Sequence, residues 1–267
     1  MSTELLPQTN AAENRLLFCR DEEMNHVLKT IFLSPLLITQ GLYVRRVTPR
    51  MPEPSGERSG IFGSGPAIKL LILGDSAAAG VGVATQRQAL SGQLVLALGT
   101  YFQISWKLMA QTGLRAKDVL VRLTAVPAET FDVVVTSIGV NDVTYKTKPR
   151  KWIDHQSQIV KLLRTKFHAR HIILSSLPPM HLFSALPQPL RWYLGTEAGR
   201  LNALLKQLAA GCPECEFVAI DFPLDKSYLA ADGFHPGEPA YAFWSRHVAE
   251  VIRRRLSETT RLLADYY

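Results

Sequence analysis

The sequence predicts an α/β fold in which parallel strands form one sheet and helices cover both of its faces. Three observations predict it. From Ile68 onward, strand-like apolar runs alternate with stretches of helical spacing, the pattern of βαβ units. Two of the runs, Ile68–Leu73 and FDVVVTSI over 131–138, are almost unbroken in apolar or β-branched residues, as strands buried on both faces must be. Both end abruptly, the first in Gly74-Asp75-Ser76 and the second in Gly139-Val140-Asn141-Asp142. Turns at the carboxyl ends of such strands are where open α/β sheets bind their ligands.

The bulk properties agree with one such domain plus an extension. A chain of 267 residues, 47% apolar and 20% charged, can bury one sizeable core. The formal charge of +7 raises the question of an acidic partner. The basic residues are scattered, however, and the densest cluster is only Arg253-Arg254-Arg255 on the last helix. With no interleaving of aromatic and basic residues, this reads as a solvated basic face, not a nucleic-acid surface. Three cysteines cannot build a disulfide framework. Cys212 and Cys215 form a C-P-E-C pair without the second pair a zinc site needs, and no helix opens from it after a strand as in a redox motif. A reducing, cytoplasmic compartment is the expectation, with neither metal nor cofactor.

Residues 1–66 read as an extension of the domain. Residues 1–25 are polar and suggest a loose or helical arm. The apolar portion Ile31–Val44 is 14 residues long and interrupted by Pro35, too short and too broken for a span of about 20 residues. It lacks the small-residue cleavage site of a secretory signal. Packing on the domain is the leading reading. Peripheral membrane contact through residues 27–50 is the alternative, aided by Arg45, Arg46 and Arg50. Residues 48–66 are rich in Pro, Gly and Ser and read as an irregular connection.

In the domain, residues 67–267, the elements follow in order. After the first strand, Thr85–Thr100 has helical spacing, Ile104–Ala110 reads as a strand and Ala116–Leu123 as a helix. Strand 131–138 precedes a helix over Pro149–Phe167, a strand over His171–Leu177 and a helix over Leu190–Ala210. A short strand over Phe217–Phe222 and a helix over Pro239–Ser257 complete the series. The proline-rich stretch 178–192 must be a loop, and its Met180, Phe183, Leu186 and Trp192 are candidates for a wall of a substrate pocket.

Ser76 could be a nucleophile, a phosphate contact or a helix cap. Gly74 and Gly80 miss the spacing of a phosphate loop, and no lysine follows. Neither a dinucleotide fingerprint nor a G-x-S-x-G elbow fits, since Ala78 stands two residues after Ser76. A nucleophilic serine needs a base, an orienter and oxyanion donors. In AADGFHPG, residues 230–237, Asp232 lies three residues before His235, so both side chains can converge from one loop. Asp232 can accept the His235 Nδ1–H while Nε2 faces Ser76. Asn141 can aim its amide at a developing negative charge, and Gly113 and Ser76 can each offer a backbone N–H. The other six histidines lack such a context.

These blocks, Gly74-Asp75-Ser76, Gly113, Gly139-Val140-Asn141-Asp142 and Asp232-Gly233-Phe234-His235-Pro236, resemble in order those of the SGNH hydrolases, the GDSL-type esterases and lipases, over roughly residues 67–257. The resemblance implies a flavodoxin-like three-layer sandwich around five parallel strands. It also implies a Ser76–His235–Asp232 triad, with Ser76, Gly113 and Asn141 forming the oxyanion hole. Two departures stand out: Ala78 replaces a residue that is often Ser or Leu, and Gly113 lacks the usual Asn-x-Gly context. The expected activity is hydrolysis of a small-molecule carboxylic ester through an acyl-enzyme. Acyl transfer by the same triad, and a silent membrane-associated binding module on the same fold, are the rival expectations.

Overall fold

The computed structural model describes residues 11–221 and 225–264, with side chains described over 28–221, 225 and 227–258. The chain divides into two compact units between Arg46 and Val47. In the first, α1 (Ala11–Val47) is a single helix that runs through Pro35. A proline in a helix interior removes the N–H that would bond the carbonyl four residues earlier. Here that carbonyl is Ile31, and the Ser34 hydroxyl donates to it at 2.8 Å, so the freed acceptor is satisfied and the helix continues. Residues 1–10, part of the arm expected from the sequence, lie outside the described residues. Among the described residues no helix is long and apolar enough to cross a membrane.

The second unit is built on a six-stranded sheet. Its strands are β1 (Ser59–Phe62), β2 (Ala67–Gly74), β3 (Gln103–Ala110), β4 (Val133–Ser137), β5 (His171–Ser175) and β6 (Cys215–Val218). Their order is β1-β3-β2-β4-β5-β6, and all neighbours are parallel except β1, which pairs antiparallel with β3. The five parallel strands keep the flavodoxin-like order. Chain direction across the sheet reverses between β2 and β4, which puts the ligand crevice at their carboxyl ends.

The sixth strand corrects the expected count of five. Ser59-Gly60-Ile61-Phe62 is exposed at every position, so it has neither the apolar alternation nor the length that would mark it in sequence. It forms because β3 would otherwise present an open edge, and an antiparallel partner covers it. Part of the stretch read as an irregular connection is therefore sheet.

Three layers result. On one face α3 (Leu90–Leu98) and α8 (Glu238–Ala264) pack Leu90, Leu94, Trp244 and Ile252 against Leu70, Ile72 and Val133. On the other lie α4 (Ala116–Ala125), α6 (Pro149–Thr165) and α7 (Leu190–Ala210), with Trp152, Ile159 and Leu201 buried. The expected helix over Thr85–Thr100 starts only at Leu90. Residues ahead of it are tied elsewhere: Gln86 N–H donates to Ser55 O at 2.7 Å and its amide donates to Ala79 O at 2.9 Å. The last strand sits at Cys215–Val218, two residues ahead of expectation, because pairing with Ile172–Ser175 sets its register. Phe222, the end of the expected strand, lies outside the described residues.

Candidate active site

Ser76 is the first residue of a one-turn helix, α2 (Ser76–Ala79), that starts directly after β2. The turn requires Gly74. A Cβ there would lie 2.2 Å from Ser137 O and 2.7 Å from Ala78 Cβ, so no side chain fits between β2 and β4. The Asp75 carboxylate caps α2, accepting the Ala77 N–H at 3.1 Å, while Asp75 N–H donates to Ser137 O at 3.1 Å. Ser76 is thus held between a strand end and a capped turn, half-buried and facing the crevice.

Asp232 and His235 approach from the loop ahead of α8. Asp232 Oδ1 accepts the backbone N–H groups of Phe234 and His235, both at 3.0 Å. Its Oδ2 bonds His235 Nδ1 at 2.6 Å, and His235 Nε2 lies 3.0 Å from Ser76 Oγ. The Asp232 side chain is fully buried. Burial pushes its carboxyl up, but the His235 ring and the two backbone donors outweigh it and hold the carboxyl below the usual value. A carboxylate that stays ionised here fixes the imidazole with its proton on Nδ1, leaving Nε2 as the acceptor for the serine proton.

The loop between β3 and α4 carries Gly113, and three hydrogen-bonded anchors hold it. Thr112 donates its N–H and hydroxyl to Glu53 Oε1 at 2.7 and 2.8 Å. Leu114 O accepts the Asn141 amide at 3.0 Å, and Ala116 N–H donates to Asp142 Oδ2 at 2.9 Å. Gly113 has φ of +86°, so any side chain there would be strained even though nothing occupies the space a Cβ would take. Asn141 and Asp142 belong to α5 (Val140–Thr144), which follows β4. The structure therefore brings Gly113 and Asn141 together, beside the strand whose end carries Ser76. One Asn141 amide hydrogen is used on Leu114 O.

A mainly apolar cavity of about 40 Å³ adjoins Ser76 and His235. Phe183, Ile220, Leu229, Phe234 and Trp244 are its large apolar wall residues, with Asp75, Ser137 and Ser176 also lining it. Of the four loop residues named from the sequence, only Phe183 lines it. Met180 and Leu186 are buried at 0% and 2% exposure, filling the space between the 178–189 loop and its neighbours, and Trp192 sits half-buried on α7. Phe183 and Phe234 meet edge to face at 4.8 Å between centroids.

Sequence reasoning did not single out Phe234 or Trp244 as wall residues, nor Glu53 as an anchor. The Asp75 carboxyl is also buried. Burial pushes its carboxyl up to about 7, against the pull of the Ala77 N–H and of His235. A carboxyl group between a strand and a helix start, one residue before the serine, was the available signal. The C-P-E-C pair lies far from the site at the start of β6, with both thiols free.

A flavodoxin-ordered sheet with a serine, a histidine–aspartate pair and an asparagine at its carboxyl edge defines a class of α/β hydrolytic enzymes. The chain belongs to the GDSL-like lipase/acylhydrolase family, whose pattern matches residues 72–243, and it is a hydrolase acting on ester bonds. It is 29% identical to the GDSL-like esterase Rv1075c of Mycobacterium tuberculosis, over 84% of this chain and 77% of that one. Among solved structures it is similar to the lipase Lip_vut3 from a goat rumen metagenome, with a TM-score of 0.55 at 18% identity over 68% of this chain and 95% of the other. A catalytic mutant of the acetylxylan esterase Axe2 from Geobacillus stearothermophilus gives 0.52 at 19% identity, covering 71% and 94%. The carbohydrate acetylesterase Est24 from Sinorhizobium meliloti gives 0.51 at 17% identity, covering 70% and 99%.

Proposed function

We propose that the chain hydrolyses carboxylic esters through an acyl-enzyme on Ser76. The observation that carries this reading is the continuous line of hydrogen bonds from Ser76 Oγ through His235 to the buried Asp232. Ser76 Oγ attacks the ester carbonyl carbon while its proton passes to His235 Nε2. The carbonyl oxygen becomes an oxyanion that the Ser76 and Gly113 N–H groups and the free Asn141 amide hydrogen stabilise. The bond to the alcohol oxygen then breaks, and His235 returns the proton to that oxygen. Water enters, gives a proton to His235 and attacks the acyl carbon. Collapse of the second tetrahedral intermediate releases the acid and restores the serine hydroxyl. Ser76→Ala should abolish turnover of p-nitrophenyl acetate and uptake of a fluorophosphonate label. Retention of either would overturn the reading.

A second proposal concerns α1: one of its faces contacts an anionic lipid surface. Leu28, Ile31, Phe32, Leu36, Leu42 and Tyr43 are exposed, Phe32 at 85%. Lys29, Arg45, Arg46 and Arg50 are exposed with them, and no acidic residue occurs between Val27 and Pro52. Apolar residues flanked only by cations suit the headgroup boundary of an anionic bilayer. The full chain should sediment with vesicles containing phosphatidylserine and not with phosphatidylcholine alone, and Phe32→Glu should weaken the effect. Absence of binding to the anionic vesicles would refute it.

A further inference from the structure

We infer that the cavity beside Ser76 is the acyl subsite and that it admits only short acyl groups, of about two to four carbons. This rests on the esterase reading above and adds to it which half of the ester goes where, and which residues set its length.

Two of the three oxyanion donors lie outside the cavity. Neither Gly113 nor Asn141 lines the cavity, whereas Ser76 and His235 both do. A carbonyl carbon at Ser76 with its oxygen toward Gly113 and Asn141 therefore has the cavity available for one of its two remaining substituents. The alcohol must depart before water attacks, so it needs a side open to solvent. The acyl part stays covalently attached through both steps and can occupy a closed end. Trp244, Ile220 and Phe183 are buried at 3%, 3% and 5% exposure, so that end is closed by core residues rather than by mobile surface chains.

Size and polarity set the class. An apolar cavity of 150 Å³ holds a benzene ring, and this one, at about 40 Å³, holds a methyl or short alkyl group. Its walls are mainly apolar, which disfavours a charged acyl group such as a dicarboxylate half-ester, the more so with the Asp75 carboxyl at one side. Phe183, Leu229 and Phe234 are the large apolar residues that the loops contribute to the wall, and Phe183 and Phe234 are in edge-to-face contact. They are the residues that set the limit on chain length.

The test compares kcat/KM for p-nitrophenyl acetate, butyrate and octanoate in the full chain, the Phe183→Ala variant and the Leu229→Ala variant. Leu229 is half-buried, so its truncation provides a second widened cavity if the loss of Phe183 impairs folding. The expectation is that the unmodified chain favours acetate or butyrate over octanoate by about 100-fold or more. Each widened variant should raise the octanoate-to-acetate ratio by about tenfold, as expected if two or so further methylenes are buried. Octanoate turned over as well as acetate, or a ratio unmoved in both variants, would overturn the proposal. Failure of the two readings is distinguishable. A chain whose Ser76 takes up a fluorophosphonate label while preferring octanoate loses only the short-acyl subsite. One that takes up no label and turns over no ester loses the esterase mechanism, and the subsite with it.

Discussion

Replacing Asp232 by asparagine separates a catalytic carboxylate from one that merely shapes a turn. In the wild type, Asp232 Oδ1 accepts two backbone N–H groups at 3.0 Å and Oδ2 accepts the imidazole Nδ1–H at 2.6 Å. Asparagine is isosteric, and its carbonyl oxygen can keep both backbone bonds, so the loop should hold its conformation. Its NH2 group, however, takes the place of Oδ2 and can only donate. The imidazole must then accept at Nδ1 and carry its proton on Nε2, the atom 3.0 Å from Ser76 Oγ. A protonated Nε2 cannot take the serine proton. A wrong tautomer of this kind lowers kcat by about 10⁴, equivalent to roughly 5.5 kcal/mol in the barrier. The cost to stability is smaller, on the order of 1.5–3 kcal/mol for one charge-assisted hydrogen bond. The assay is kcat on p-nitrophenyl acetate together with thermal unfolding. A folded Asp232→Asn variant with kcat within tenfold of wild type would refute the tautomer argument and reduce Asp232 to a turn-capping residue.

Asn141→Ala should lower kcat by roughly 10²- to 10³-fold with KM little changed, because the lost donor acts on charge that exists only in the transition state; an equal rise in KM would contradict this. Glu53→Ala frees Thr112 at the Gly113 loop, and two hydrogen bonds at about 1 kcal/mol each put a ceiling of roughly 30-fold on the loss of kcat. Glu53→Gln, which can still accept both bonds, should recover most of it, and no difference between the two variants would count against the anchor. Asp75 is raised from 3.8 to about 7 in the folded protein, so the fold binds this proton more tightly than the unfolded chain does. Its contribution is therefore complete below the unfolded value, declines as pH rises toward 7 at up to about 1.4 kcal/mol per pH unit, and is level above. Asp75→Asn, which stays neutral, should raise Tm relative to wild type more at pH 8 than at pH 4; a pH-independent difference would contradict the assignment.

The parallel core was legible because burial on both faces leaves its mark on every residue of a strand: Ile68–Leu73 and FDVVVTSI admit little else. The convergence of Ser76, Asp232 and His235 was legible for another reason. Each must stand at a strand end or a short turn, where spacing within the chain constrains what the side chain can reach. Elements stabilised by their partners were not legible. β1 exists because β3 has an edge to cover, and its own four residues carry no signal of it. The helical run through Pro35 depends on one hydroxyl, Ser34, meeting one carbonyl, Ile31, which no periodicity records. Trp244 and Phe234 read as a helix residue and a motif spacer, and only the folding of α8 and the 229–236 loop against the sheet makes them walls. Met180 and Leu186 show the converse: apolar loop residues beside a site can be spent on holding the loop down.

The proposed base and its orienter share one short loop. Asp232 and His235 are bonded to each other and to their own backbone, while Ser76, the proposed nucleophile, stands on α2 just beyond the end of β2. The loop is tied down by a few contacts, among them Ala230 N–H to His235 O at 2.8 Å, Gly237 N–H to Tyr228 O at 2.8 Å and Ala185 N–H to Gly233 O at 3.2 Å. A sub-global opening that lifts this loop would carry the Asp232–His235 pair away intact, breaking the 3.0 Å link to Ser76 and the Ala185–Gly233 bond and leaving the sheet unaltered. Activity and fold then have separate melting events. Heating or mild denaturant should silence hydrolysis reversibly before circular dichroism registers any loss of the sheet, and amide exchange at Ala185, whose N–H bonds Gly233 O, should run ahead of exchange in β2 and β4.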